Sequence, residues 1–139
     1  MSDLGPVIIT AEMGKADQAW ADKLRSAHFP HERNFLAAHI TLFHHLLSAQ
    51  LPEIKTMLSA IATDRGRPAA RLSDVMNLGR GVAFRIESPA LLLLREQLAE
   101  RFFGLLTPQD RARPQLHITV QNKVDPKTAR ALQQELTAQ

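Results

Sequence analysis

The spacing of apolar residues along this 139-residue chain predicts strands interleaved with helices. Short apolar runs bounded by turn residues are typical of strands, whereas apolar residues three or four positions apart are typical of helices. The predicted strands have these approximate bounds: Val7–Ala11, Ala37–Leu47, Ala69–Leu78, Val82–Glu87 and Gln115–Val124. Helical patterns follow every strand except the third, so the predicted order is β-α-β-α-β-β-α-β-α.

Prolines mark the predicted helix boundaries. Pro30 ends the first helix, Pro52 lies at the start of the second, and Pro89 follows the N-cap candidate Ser88 at the start of the third. The apolar face of the first helix is predicted to consist of Ala16, Trp20, Leu24 and Ala27. The polar segment 108–114 is predicted to be a loop.

The third and fourth strands are joined by Gly79-Arg80-Gly81, which indicates a hairpin. Interleaved strands and helices with one hairpin favour an α+β fold, with antiparallel or mixed sheets and helices outside. Similar elements flank the two segments around His39 and His117. We therefore expect a single domain over residues 1–139, built as two lobes that are related by a pseudo-two-fold axis and enclose a central cleft.

Composition narrows the class of protein further. A hydrophobic content of 45% with 22% charged residues is typical of a globular domain. Because the chain has no cysteine, disulfides, thiolate nucleophiles and cysteine-bound zinc are excluded. The N-terminal residues lack the basic and apolar regions of a signal peptide, and no apolar run has the length of a membrane span. We expect a cytoplasmic protein without a membrane or an obligate protein partner.

The charge balance is basic, with a formal net charge of +3 and a pI near 9.8. A basic balance suits a partner that carries phosphate, such as RNA or a nucleotide. The alternative is that +3 on a chain of this length has no functional meaning, and both interpretations stay open.

The tripeptide His-Ile-Thr occurs twice, as His39-Ile40-Thr41 and as His117-Ile118-Thr119. Each copy lies in an apolar run that predicts a strand. Residues i and i+2 of a strand share one face. The histidine and threonine of each copy are therefore predicted to point together, away from the core side of the isoleucine.

Two such pairs suit proton transfer at a phosphate. Histidine has an ordinary pKa of about 6.5, so that one histidine can act as a general base and another as a general acid near neutral pH. Threonine hydroxyls can donate hydrogen bonds to non-bridging oxygens without adding charge. The alternative is a half-buried strand with a polar outer face, which β-propensity explains for isoleucine and threonine but not for histidine in both copies.

These paired strands, 78 positions apart by their histidines, resemble the two-histidine (2H) phosphoesterase superfamily. That superfamily includes the bacterial 2′-5′ RNA ligases and the RNA 2′,3′-cyclic phosphodiesterases. The resemblance implies a bilobal α+β fold and hydrolysis of a 2′,3′-cyclic phosphate to a 2′-phosphate, or reversible 2′-5′ ligation. It implies that His39 and His117 are the acid and base and that Thr41 and Thr119 bind phosphate, with no cofactor and no metal.

The sequence departs from many relatives just after each motif. Phe43-His44-His45 and Gln121-Asn122-Lys123 stand where many relatives have an aromatic residue and an arginine, respectively. The candidate rim residues for substrate are Phe43, His45, Arg113 and Lys123. Strand parity places Phe43 and His45 on the face of His39, where Phe43 either stacks against a base or packs in the core. A metal site at His44 and His45 is not expected, because adjacent strand residues point in opposite directions.

The leading hypothesis is a metal-independent phosphodiesterase that acts on the 2′,3′-cyclic phosphate of an RNA end or a small cyclic nucleotide. Two alternatives remain open, namely 2′-5′ RNA ligation at the same site and a non-catalytic module that binds RNA or nucleotides. The sequence does not indicate which histidine is the acid.

Overall fold

Five strands form one sheet. The computed structural model describes residues 5–139; residues 1–4, part of the N-terminal segment in which we sought a signal peptide, lie outside that range. The strands are β1 (Val7–Ala11), β2 (Ile40–Leu46), β3 (Arg71–Asn77), β4 (Val82–Glu87) and β5 (His117–Gln121). Their order in the sheet is β1-β2-β5-β4-β3. The central strand β5 pairs antiparallel with both β2 and β4. The α+β class predicted from the sequence is confirmed.

The helices begin at local signals in the sequence. They are α1 (Lys15–His28), α2 (Leu51–Arg65), α3 (Pro89–Arg101), α4 (Pro108–Arg111) and α5 (Pro126–Thr137). The Ser88 hydroxyl accepts a hydrogen bond from the backbone N–H of Leu91 at the start of α3, and Asp125 caps α5 in the same way. No helix within residues 5–139 is long and apolar enough to cross a membrane.

The prediction of a loop over residues 108–114 is wrong for its first half. Residues Pro108–Arg111 form the short helix α4, whose N-cap is Thr107. The Thr107 hydroxyl accepts from the backbone N–H of Asp110, at 3.4 Å, and proline occupies the first helical position. A single polar turn of this length has no apolar periodicity, so the hydrophobic pattern does not reveal it.

The chain divides into two compact units, each made of several segments. The first contains the residues up to Thr10 together with Thr41–Arg71 and Ser88–Pro114. Its buried apolar side chains include Leu42, Phe43, Leu46, Ile54, Leu91, Leu98 and Phe102. A two-fold duplication of the whole chain and a central cleft stay predictions.

The second unit contains Ala11–Ile40, Leu72–Glu87 and Gln115–Gln139. Its buried apolar side chains include Ala21, Ile40, Val82, Phe84, Ile118, Val120, Ala129, Leu132 and Leu136. Helix α1 packs against β5 in this unit, and Trp20 of α1 contacts Phe84 with ring centroids 5.0 Å apart. Because Phe84 pairs with Ile118 across the ladder, α1 covers the sheet face that carries Ile118.

The predicted apolar face of α1 is confirmed only where Trp20 contacts Phe84. Ala16, Trp20 and Ala27 are exposed and Leu24 is half-buried, while the buried residues of the helix are Ala21 and Arg25. Polar side chains of the helix instead form hydrogen bonds with the backbone of neighbouring segments: Gln18 and Arg25 donate to carbonyl oxygens, and Asp22 accepts from a backbone N–H. Two of the four predicted residues are alanine, which has little apolar area to gain by burial.

The hairpin glycine Gly81 lies against the end of β5. An added Cβ atom would overlap the carbonyl oxygen of Gln121 and lie 2.7 Å from the Cα atom of Asn122. The β4–β5 register also shifts at Val82, beside this contact. Glycine is therefore required here by the close approach of two backbone segments.

Replacing Gly81 by alanine should lower the free energy of unfolding by about 1–3 kcal/mol, because the new methyl group forces the two backbone segments apart. Urea denaturation would measure the change. Gly104→Ala is the matched control, since a Cβ atom there has nothing within 4 Å. Equal stability of the two variants would contradict the assigned contact.

Candidate active site

The two His-Ile-Thr tripeptides show the alternating burial that the strand pattern predicts. Both isoleucines are buried, with 3% exposure for Ile40 and 2% for Ile118. The flanking histidines and threonines are half-buried: His39, Thr41, His117 and Thr119. Each histidine therefore keeps solvent access while the residue beside it anchors the strand in the core.

The register brings the two tripeptides together. Ile40 lies opposite Ile118 in the antiparallel β2–β5 ladder. Extending the same register by one residue places His39 opposite Thr119, although β2 itself begins at Ile40. His39 and His117 are then diagonal neighbours, with their Cα atoms about 7–8 Å apart on one face. Diagonal neighbours on one face are within reach of each other for long and aromatic side chains.

Both imidazole rings are held by the same backbone contact. His39 Nδ1 lies 2.8 Å from the carbonyl oxygen of Ala37, and His117 Nδ1 lies 2.7 Å from the carbonyl oxygen of Gln115. A carbonyl only accepts hydrogen bonds, so each Nδ1 must carry the hydrogen and donate. The bond orients the ring and leaves Nε2 as the nitrogen that can take up or release a proton.

Helix α1 holds the backbone just before His39. The Nε2 amide group of Gln18 donates to the carbonyl oxygen of Ala38 at 2.7 Å, and the backbone N–H of Ala38 donates to Asp22 Oδ1 at 2.7 Å. Gln18 also donates to the Asp22 carboxylate. Both backbone polar groups of Ala38 are thereby hydrogen-bonded, which fixes the position of the backbone just before His39.

The same helix holds the strand of the second histidine. Arg25, which is only 6% exposed, donates from Nη1 to the carbonyl oxygen of Thr119 at 3.1 Å and from Nε to Asn34 Oδ1 at 2.7 Å. Its guanidinium carbon lies 4.0 Å from the centroid of the Phe29 ring. Burial lowers the pKa of Arg25, and Asp22 partly opposes that effect by raising it.

One helix face therefore ties both histidine segments together through Gln18, Asp22 and Arg25. The sequence interpretation did not identify these three residues. A signal is present, because they lie at spacings i, i+4 and i+7 and so share one helix face. A polar stripe of this kind is also typical of a solvated face, and only the packing of α1 distinguishes the two.

In the other unit, Arg95 of α3 binds the backbone that follows Thr41. It donates from Nε to the carbonyl oxygen of Leu42 at 3.0 Å, and its guanidinium carbon lies 4.3 Å from the centroid of the Phe43 ring. Phe43 is completely buried. Of the two alternatives for Phe43, packing in the core is therefore the correct one, since a ring without exposed surface cannot stack on a nucleobase.

The strand parity predicted beyond Leu42 is also wrong. The backbone N–H groups of His44 and His45 both donate to the carboxylate of Asp110, at distances of 2.8–3.1 Å. Consecutive N–H groups of a regular strand point in opposite directions, so the strand is distorted here. As a result His44 and His45 are both exposed.

Asp110 is fully buried and holds the distorted end of β2. Burial by itself would raise the pKa of Asp110, but the backbone N–H groups of His44 and His45 and the ring of His44 together lower it below its ordinary value. His44 Nδ1 lies 3.2 Å from Asp110 Oδ1. The carboxylate is thus kept charged by hydrogen bonds from the strand that it fixes.

The remaining candidate rim residues, His45, Arg113 and Lys123, are all exposed. Lys123 has a backbone φ of 65°, which belongs to a turn after β5. Their contribution to a substrate rim stays a prediction. Within residues 5–139 no group of three or more histidine, aspartate or glutamate side chains is arranged to hold a metal ion.

The structure adds Arg85 to the neighbourhood of the second histidine. Arg85 of β4 lies directly opposite His117 in the β4–β5 ladder, and Ala83 lies opposite Thr119. Opposite residues share one face of the sheet. The sequence placed Arg85 on the polar face of its strand but did not indicate that this face adjoins His117, because the register is not visible in a local pattern.

Comparison with known proteins gives one family. The sequence model of the family described as the 2′-5′ RNA ligase superfamily matches residues 14–139. No curated protein and no solved structure matches the chain. The matched range includes both His-Ile-Thr segments, Arg85, and the α1 residues Gln18, Asp22 and Arg25.

Proposed function

The chain belongs to the 2′-5′ RNA ligase superfamily, a group of enzymes that act on phosphodiester bonds, and from this premise we propose that it hydrolyses 2′,3′-cyclic phosphates. The substrate is the cyclic end of an RNA or a small cyclic nucleotide, and the product is a 2′-phosphate. His39 and His117 are the proposed acid and base, and Thr41 and Thr119 are the proposed phosphate-binding residues.

The observation that carries this proposal is that both histidine rings make the same backbone contact. Both donate from Nδ1 to the carbonyl oxygen two residues earlier, and both keep Nε2 for chemistry. Extending the Ile40–Ile118 register by one residue would make His39 and His117 diagonal neighbours on one face, which supports the proposal. An ordinary polar strand face needs neither the shared ring orientation nor the diagonal placement.

The proposed reaction is an in-line displacement at phosphorus. Nε2 of one histidine accepts a proton from water as the water oxygen bonds to phosphorus. The bond between phosphorus and the ribose 3′ oxygen breaks, and the other histidine, protonated at Nε2, donates its proton to that oxygen. The threonine hydroxyls donate hydrogen bonds to the non-bridging oxygens, whose charge they stabilise. Each proton transfer typically contributes about 10²–10⁴-fold to the rate.

The direct test is incubation with 2′,3′-cyclic mononucleotides and with RNA that ends in a cyclic phosphate. We expect a 2′-phosphate product, identified by its resistance to an enzyme that removes only 3′-phosphates. A chelator should leave the rate unchanged, because the proposed scheme uses only side chains of this chain. Tight binding of a 2′-phosphorylated nucleotide without any hydrolysis of the cyclic form would instead favour the non-catalytic module.

Ligation at the same site is the second candidate, supported by the family description. In that direction a 5′-hydroxyl takes the place of the attacking water: its oxygen bonds to phosphorus, the bond between phosphorus and the ribose 3′ oxygen breaks, and the two proton transfers keep their roles. Incubation with two RNA fragments, one ending in a 2′,3′-cyclic phosphate and the other beginning with a 5′-hydroxyl, separates the candidates. A hydrolase gives no joined product with a 2′-5′ linkage.

A further inference from the structure

Arg85 is the cation that the sheet places nearest to His117 by register. It lies directly across the ladder from His117, which puts their Cα atoms about 4.5–5.5 Å apart. Its side chain is 36% exposed, so the guanidinium group is accessible to a ligand. His117 and Arg85 both belong to the second unit.

The Arg85 side chain is directed away from His117. Its Nε donates to Asp74 Oδ1 at 2.9 Å, and Asp74 lies on β3, which flanks β4 on the side opposite β5. Neighbouring strands are about 4.8 Å apart. The guanidinium group therefore lies roughly 5–10 Å from the axis of β5. It is displaced from the position between the histidines that the reacting phosphate occupies.

The contact with Asp74 orients the guanidinium group without using all of its hydrogen-bond donors. Arginine has five N–H donors, and the Asp74 contact uses the one on Nε. The two terminal nitrogens form the edge that binds a phosphate through two parallel hydrogen bonds. The Ser73 hydroxyl donates to the same Asp74 oxygen at 2.8 Å, which helps to hold the carboxylate in place.

We propose that Arg85 binds a second phosphate of the substrate, namely the phosphodiester that precedes the terminal cyclic phosphate. A cyclic mononucleotide has no such group, whereas an RNA end carries it one ribose away from the reacting phosphorus. This inference rests on the proposed function and selects RNA ends over small cyclic nucleotides as the substrate class. In this assignment Arg85 determines substrate specificity and Asp74 is a positioning residue.

The test compares a 2′,3′-cyclic mononucleotide with a dinucleotide that ends in the same cyclic nucleotide. The unmodified protein should have a kcat/KM about tenfold higher for the dinucleotide, the lower range for a charge-assisted hydrogen bond at an exposed site. Arg85→Gln should remove this preference and leave the mononucleotide rate unchanged. Arg85→Lys should keep part of it, because the charge remains and the two-pronged geometry is lost.

A dinucleotide with a methylphosphonate linkage isolates the contact, because it lacks the charge at the second phosphorus. With this substrate the unmodified protein should lose its higher kcat/KM relative to the mononucleotide. The kcat/KM of Arg85→Gln should not fall any further when the natural linkage is replaced. The dependence of log kcat/KM on log salt for the natural dinucleotide should become shallower by about 0.7 in Arg85→Gln. Arg130→Gln on α5, which changes the net charge equally at an exposed position, should leave both readouts unchanged.

The outcomes separate the two proposals. If Arg85→Gln lowers kcat/KM equally for mononucleotide and dinucleotide, Arg85 acts on the reacting phosphate and the inference is overturned. Equal rates for both substrates in the unmodified protein would also overturn it, with the proposed function intact. If no cyclic phosphate is hydrolysed, the proposed function fails, and calorimetric affinities for the 2′-phosphorylated dinucleotide and mononucleotide test Arg85 without turnover. Binding that is independent of Arg85 would then refute the second-phosphate contact.

Discussion

Replacing His39 or His117 by alanine should lower kcat on a 2′,3′-cyclic nucleotide by about 10²–10⁴-fold in each variant. Each change removes one of the two Nε2 groups to which the proposed mechanism assigns a proton transfer. The rate should be measured under single-turnover conditions, so that product release does not hide the loss.

Two further variants make that experiment decisive. His31→Ala, at an exposed position whose ring contacts the carbonyl oxygen of Ser26, should retain the full rate. The double variant of His39 and His117 should be little slower than the worse single variant, because groups that act together in one step have strongly non-additive effects. A near-normal rate in either single variant would exclude the two-histidine mechanism.

Replacing Asp110 by alanine should lower the free energy of unfolding by about 2–4 kcal/mol. The fully buried carboxylate accepts the backbone N–H groups of both His44 and His45, and alanine leaves these donors without their partner. Urea denaturation at neutral pH would measure the loss. The control is Asp64→Ala, an exposed carboxylate of the same unit, which should change the stability by less than about 0.5 kcal/mol.

The stabilisation by Asp110 should depend on pH in a defined direction. Hydrogen bonds lower the pKa of this carboxyl group in the folded protein, so folding is favoured by its ionised form. The contribution is complete above the pKa of an unfolded aspartate, about 3.9, and is lost as the pH falls through the lower folded pKa. The stability difference from Asp110→Asn should therefore be constant near neutrality and shrink in acid. A difference that grows below pH 4 would contradict the assignment.

The helix boundaries could be predicted because their signals are local. Ser88 and Asp125 cap the helices whose starts they marked in the sequence, and the hairpin glycine Gly81 lies where the strand pattern changes direction. Which residues form the buried face of a helix was less predictable. The apolar spacing on α1 suggested one buried face, and the structure buries Arg25 on another, because backbone groups of distant segments needed its hydrogen bonds.

By itself the sequence predicted the family of this protein and its candidate site residues, because a duplicated His-Ile-Thr tripeptide specifies residue types and strand parity within three positions. The tertiary structure alone decided how the copies meet, since the Ile40–Ile118 register joins segments 78 positions apart. It also decided that Asp110 distorts β2 and that Arg85 lies beside His117. These are long-range hydrogen bonds, and no local pattern of hydrophobic and polar residues encodes which distant partner completes them.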